Sequence, residues 1–178
     1  MSDTIRDCIA LWSLCFGDGE EIPSSFFERT EAEPVLLRRE GTPIAMACLV
    51  PVTLDKLRGG YLYAVCVHPE HRGRGYFRWL MALCEEKARK AKLDFVCLVP
   101  ATPSLSELYE RMGYETRVTL SAYATGEEKR IVPEGGFAAL AKEWSEDFPT
   151  MPQGLAKSLA EDVLLPSPLA FSSPMGES

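Results

Sequence analysis

Tyr61-Leu62-Tyr63-Ala64-Val65-Cys66-Val67-His68-Pro69-Glu70-His71-Arg72-Gly73-Arg74-Gly75-Tyr76-Phe77 is the stretch on which the fold reading turns. Tyr61, Tyr63, Val65 and Val67 alternate as one face of an extended strand would, and Pro69 ends it. From Gly75 to Lys92, Phe77, Leu80, Met81, Cys84, Ala88 and Ala91 recur at three- and four-residue steps. That spacing predicts an amphipathic helix, with Glu85, Glu86, Lys87 and Lys90 on its solvent side. Leu93 to Val99 is continuously apolar, as a buried strand is, so the three elements form a βαβ unit with parallel strands.

Working outward, Ile5, Cys8, Ile9, Trp12, Cys15 and Phe16 predict a helix over Thr4 to Phe16, stopped by Gly17-Asp18-Gly19. A short second helix follows over Ile22 to Arg29. Pro34 to Arg39 and Pro43 to Val52 form a hairpin about Glu40-Gly41-Thr42, and Arg58-Gly59-Gly60 reads as a further turn. Downstream, Thr102-Pro103-Ser104 opens a helix in which Ser104 and Glu107 suit a capping box, and Gly113 closes it in the left-handed conformation. Tyr114 to Ala124 alternates as a strand. Beyond Gly126, Phe137 to Trp144 and Leu155 to Leu164 read as two helices, and Leu169-Ala170-Phe171 as an edge strand or part of a mobile tail. The expected architecture is α/β, an α+β mixed sheet, with a core over residues 1–126 and a helical extension and tail over 127–178.

The 178 residues suit one domain, and 46% apolar content is that of a globular chain. A net charge of -7 disfavours a nucleic-acid footprint or an anionic-membrane surface, both of which need clustered Lys and Arg. Six cysteines, with no C-x-x-C pair among them, read as small buried hydrophobes in a reduced cytoplasmic protein. No stretch approaches the ~18 apolar residues of a membrane span, and none resembles a secretory leader.

His71-Arg72-Gly73-Arg74-Gly75 lies between a strand and a helix N-terminus, where main-chain N–H groups lack helical partners and the helix dipole is positive. Arg72, Arg74 and Arg78 add charge locally to an acidic chain. The combination suits phosphate, and a diphosphate best. No Gly-Lys-Ser/Thr closes a P-loop here, and the G-x-G-x-x-G dinucleotide pattern is missing. A plain glycine- and arginine-rich turn is the bland alternative.

The run from Val65 to Phe77 resembles the acyl-CoA-binding signature of the GNAT superfamily of N-acetyltransferases. Leu108-Tyr109-Glu110-Arg111-Met112-Gly113-Tyr114 resembles that family's second signature, at the expected separation. The resemblance implies a GNAT-type fold whose two parallel strands splay apart to admit acetyl-CoA as co-substrate. It also implies that the backbone of Val65, Cys66 and Val67 pairs with the pantetheine arm. Arg72, Gly73, Arg74, Gly75, Tyr76, Phe77 and Arg78 would surround the diphosphate, Thr102 would touch the arm, and Tyr109 would be the catalytic acid. A Tyr109 ring that merely packs on the sheet is the competing reading.

Attack of an amine on a thioester creates an oxyanion and expels a thiolate, so a main-chain donor near Val67 and a phenol near the sulfur answer the chemistry. An alkylammonium, with pKa near ~10.4, must also lose a proton. The sequence departs from the family here: the Tyr61–Val67 strand lacks the usual carboxylate. A water held by Tyr61 or Tyr63, a carboxylate such as Glu28 or Glu33, and the chain terminus are the open candidates. Phe77 replaces a small residue and Thr102 an asparagine. The expected partner is a small-molecule or peptide amine, with no nucleic acid, no membrane and no metal, and a homodimer is compatible with the chain. A zinc site at Cys66, His68 and His71 lacks a fourth ligand at workable spacing. Glu143, Glu146, Asp147, Glu161 and Asp162 read as solvated helix faces rather than as an acidic rim for a cationic acceptor. The rival class is a catalytically inactive acyl-CoA-binding sensor or interaction module.

Overall fold

A computed structural model describes residues 1–143 and 153–175. Its helices are α1 (Asp3–Phe16), α2 (Glu21–Arg29), α3 (Tyr76–Lys90), α4 (Pro103–Arg111) and α5 (Gly135–Ala141). Its strands are β1 (Glu33–Arg39), β2 (Thr42–Leu54), β3 (Leu57–Val67), β4 (Phe95–Leu98), β5 (Thr116–Thr119), β6 (Lys129–Pro133), β7 (Gln153–Ser158) and β8 (Leu169–Phe171). They form one mixed sheet in the order β1-β2-β3-β4-β7-β5-β8-β6, and β6 also pairs with β2, so the sheet curls back on itself. The expected α/β class and the β3-α3-β4 unit are both present, with β3 and β4 parallel.

The sheet separates two apolar layers. One holds α1, α2 and α5 against Met46, Cys48, Val50, Tyr61, Phe95, Val118 and Phe171. The other packs Tyr76, Leu80, Met81, Cys84 and Ala88 of α3, with Tyr109 and Tyr114, on Ile44, Leu62, Val96 and Leu155. Burial of the α3 stripe follows its helical spacing, and the large apolar side chains gain roughly 1.5–3 kcal/mol each on leaving water.

Four local expectations give way. Arg58-Gly59-Gly60 is not a turn: β3 already starts at Leu57, and the turn falls at Asp55, which has φ 52°. The two glycines serve close packing, because a Cβ at Gly59 would lie 2.3 Å from the Phe95 ring and one at Gly60 2.3 Å from Leu49. Helix α4 is capped by Thr102, whose Oγ1 accepts from Leu105 N at 3.2 Å, and not by a Ser104–Glu107 box. The helix expected over Leu155–Leu164 is instead β7, hydrogen-bonded on both sides by β4 and β5. Pairing across two partners outweighs a weak helical spacing, and Gly154 permits it, since a Cβ there would lie 2.5 Å from Leu98 O. Segment 169–171 is a strand as read, but it lies inside the sheet between β5 and β6, parallel to both, rather than at an edge.

A further correction concerns Glu85, read as solvent-facing. It is buried, with Lys157 Nζ at 2.7 Å and Arg89 at 3.6 Å, and Tyr114 donates its hydroxyl to it at 3.4 Å. Lys157 also donates to Met112 O at 2.8 Å, so this network ties β7 to α3 and to the end of α4. The α5 helix occupies the predicted Phe137 region, with Phe137 buried. Trp144, Glu146 and Asp147 lie outside the described residues.

Candidate active site

Strands β3 and β4 pair only from Gly59↔Phe95 to Tyr61↔Cys97, although β3 continues to Val67. At the same point β3 bulges: Met46↔Cys66 and Cys48↔Tyr63 leave Ala64 and Val65 opposite Ala47 alone. Ala64 has φ 54°, a left-handed value that is costly for a residue with a Cβ. A bulge bends its strand and redirects its side chains. The end of β3 therefore leaves β4, and a cavity opens beside it.

That cavity, about 480 Å³, is walled by Cys15 and Phe16 of α1, by Val65, Cys66 and Val67, by the turn from His71 to Arg78, and by Leu105, Leu108 and Tyr109 of α4. Gly73 and Gly75 are left-handed, with φ 77° and 83°. A Cβ on either would meet nothing within 4 Å, so the glycines serve the backbone turn and leave the space before it open. Gly75 is the N-cap of α3, no side chain caps that helix, and its first turn carries no acidic residue. Main-chain donors at the positive end of a 15-residue helix thus face a cavity bordered by Arg72 and Arg78.

Val65, Cys66, Val67, Arg72, Gly73, Gly75, Tyr76, Phe77, Arg78 and Tyr109 all border this one cavity. Arg74 and Thr102 are not among its lining residues, and the Thr102 hydroxyl is engaged as the α4 cap. Val67 O already accepts from Arg72 Nε at 3.1 Å, which fixes the guanidinium beside the strand end. The Tyr76 ring is buried, with its hydroxyl against Arg39, so this residue meets the cavity from the core. His68 Nδ1 accepts from Glu70 N at 3.1 Å and caps the turn. His71 lies on the wall, where its buried Nδ1 has no hydrogen-bond partner among the described residues.

Tyr109 is 1% exposed, its ring 5.4 Å from that of Phe77 and 5.7 Å from that of Tyr114. Burial pushes its phenol above the ordinary range, with the Cys84 thiol adding to the effect, so the group is held in its acid form. Of the groups weighed as proton acceptors, Tyr61 is fully buried against Phe137 and Phe171. Glu33 pairs with Lys87 at 3.4 Å, and neither Glu33 nor Glu28 lines the cavity. Tyr63 borders a smaller space of about 110 Å³ with Trp12, Phe16, Asp18 and Ala64. Phe16 lines both this space and the main cavity, and Trp12 Nε1 donates to Asp18 Oδ2 at 2.8 Å.

Sequence reading missed Cys15, Phe16 and Leu105 as wall residues, and Asp18 next door, while His71 and Leu108 stood inside the two quoted motifs without a site role of their own. Cys15 and Phe16 carry one available signal, since they end a helix at a glycine with φ 75° and so meet the sheet at its open end. Among the described residues no helix is long and apolar enough to cross a membrane. Nor is there a group of three or more His, Cys, Asp or Glu side chains placed to hold a metal ion.

Residues 1–117 match the family profile described as Acetyltransferase (GNAT) domain, and the chain belongs to that family, the acyl-CoA-dependent N-acetyltransferases. No curated protein matches the chain in sequence. Among solved structures it is similar to a GNAT family N-acetyltransferase, YhbS, from Escherichia coli in complex with CoA: TM-score 0.60, 17% identity, covering 91% of this chain and 79% of that one. It is also similar to N-acetylglutamate synthase from Neisseria gonorrhoeae, complexed with coenzyme A and N-acetyl-glutamate: TM-score 0.58, 18% identity, covering 90% and 34%. A third is a GCN5-related N-acetyltransferase from Anabaena variabilis: TM-score 0.53, 17% identity, covering 68% and 31%. The chain thus spans about a third of the length of the Neisseria and Anabaena proteins. At these identities the likeness is one of fold.

Proposed function

We propose that this chain transfers the acetyl group of acetyl-CoA to a primary amine of a small molecule or peptide, by direct attack within a ternary complex. The observation that carries the reading is the cavity joining three parts: the N-terminus of α3 that no side chain caps, the end of β3 beyond its last pair with β4, and Tyr109. In this reading the amides from Gly73 to Arg78 hold the diphosphate, with Arg72 and Arg78 balancing its charge. The pantetheine arm runs along Val65 to Val67, replacing the strand partner that β4 ceases to provide. A main-chain N–H beside the bulge receives the oxyanion, and Tyr109 gives its proton to the departing thiolate as the C–S bond breaks.

The amine arrives from the α1 side, past Phe16, where Asp18 is the nearby carboxylate able to take its proton through water. Arg74 and Thr102 have lesser parts in this assignment, Thr102 as the residue that sets the start of α4. One observation favours the rival reading of a binding module without turnover: among the described residues, no carboxylate lines the main cavity. Release of free thiol from acetyl-CoA, screened over polyamines, aminoglycosides, amino acids and peptide N-termini, separates the two. Amine-dependent release is expected. Coenzyme A binding with no release on any acceptor would favour the module.

A further inference from the structure

Two of the six cysteines stand apart from the rest. Cys8, Cys48, Cys84 and Cys97 are sealed in the core at 0% exposure, whereas Cys15 is half-buried, and Cys15 and Cys66 both form the wall of the main cavity. They come from different elements, the last turn of α1 and the end of β3. Their side chains are in hydrogen-bonding contact, and Cys15 Sγ also lies 3.5 Å from Val67 O. We propose that Cys15 and Cys66 form a thiol–disulfide exchange site for small-molecule disulfides, whose oxidised state bridges α1 to β3 and closes the β3 end of the cavity.

The roles of the two sulfurs follow from their surroundings. The Cys66 S–H donates to Cys15 and the Arg72 guanidinium lies near, and together these outweigh burial and bring the Cys15 thiol down to about 7. An attacking thiol works best when its pKa is near ambient pH, because thiolate fraction and nucleophilicity are then balanced. Cys66 is held well above its ordinary range, first by its hydrogen bond to Cys15 and then by burial. Cys15 is therefore the attacking sulfur. Its thiolate displaces one RS⁻ from a disulfide RSSR and becomes a Cys15–S–S–R mixed disulfide. Capping removes the Cys15 charge, and with it the main influence holding the Cys66 proton. Cys66 then loses that proton to solvent and attacks Cys15 Sγ, expelling the second RS⁻. Two thiols are oxidised and one disulfide is reduced to two thiols. A hydrogen bond already links the two side chains on the cavity wall, so joining the sulfurs calls for a local shift of the α1 terminus at Gly17.

The test treats the full chain with bis(2-hydroxyethyl) disulfide near pH 7.5 and maps the products by mass spectrometry. Loss of two thiols, a Cys15–Cys66 cross-linked peptide and reversal by dithiothreitol are expected. Cys66→Ser should stop at a single adduct on Cys15, and Cys15→Ser should leave Cys66 unreacted. Adducts on the core cysteines instead, or a Cys15→Ser chain reacting as fast as the wild type, would overturn the exchange site. Closure is read separately, as calorimetric affinity for coenzyme A before and after oxidation: a loss of at least 10-fold, restored by reduction, is expected, and unchanged affinity would refute closure. This second arm rests on the proposed use of the cavity. If the reduced chain binds no coenzyme A, that reading fails, while the peptide map still decides the exchange chemistry.

Discussion

Replacing Gly75 separates what the cradle does for stability from what it does for ligand. Its φ of 83° costs any residue with a Cβ about 1–2 kcal/mol, but a Cβ there meets no atom within 4 Å. Gly75→Ala and Gly75→Glu should therefore both fold. For a chain of this size about 1–2 kcal/mol lowers Tm by roughly 2–8 °C. The glutamate should be the milder of the two by about 0.3–1 kcal/mol, because an acidic group at a helix N-terminus is favourable. Binding should order them the other way. A carboxylate about 4 Å from a phosphate charge repels it by roughly 4 kcal/mol at an effective dielectric of ~20. Coenzyme A affinity should fall on the order of 1,000-fold in Gly75→Glu, and far less in Gly75→Ala. Calorimetric titration, paired with thermal unfolding of the same preparations, measures both. A folded Gly75→Glu chain with wild-type affinity would refute the assigned diphosphate position.

Three further outcomes follow from the same physics. Tyr109→Phe should lower kcat by 10²-fold or more while KM for acetyl-CoA stays within about 2-fold, since a general acid acts on the departing thiolate rather than on cofactor binding; steady-state kinetics read the split. Tyr63 is raised to about 12, and Tyr109 and Tyr114 are also raised, by burial first in each case. In the unfolded chain these phenols ionise near pH ~10, so their contribution is intact below that pH and is lost as pH climbs toward the folded values. Urea midpoints should accordingly fall steeply above about pH 10, and the fall should be shallower in Tyr63→Phe. Lys157→Met removes the closest partner of buried Glu85 and should cost about 3 kcal/mol, or roughly 6–12 °C in Tm, with much of it recovered in a Lys157→Met, Glu85→Leu pair.

The parts legible in the sequence are those in which local pattern and tertiary role agree. The α3 stripe, the βαβ unit and the left-handed glycine at 113 each state their geometry in side-chain spacing or in a missing Cβ. The parts misread depend on distant neighbours. Gly59 and Gly60 look like a turn, yet they are required by Phe95 and Leu49 from elsewhere in the chain. Residues 153–158 become a strand because β4 and β5 need a partner between them, which no local window shows. Glu85 falls at an outward-seeming position of α3, and only the arrival of Lys157 on β7 makes its burial tolerable. Cys15 hides among buried cysteines because its neighbour across the cavity is 51 positions away.

The central claim is that the turn before α3 binds the coenzyme A diphosphate while the thioester end enters where β3 leaves β4. A crystal structure of the chain grown with coenzyme A tests it most directly. The account predicts phosphate oxygens on the main-chain amides between Gly73 and Arg78 and the sulfur close to Tyr109. Density for the nucleotide at another surface, or a diphosphate that does not touch this turn, would contradict it.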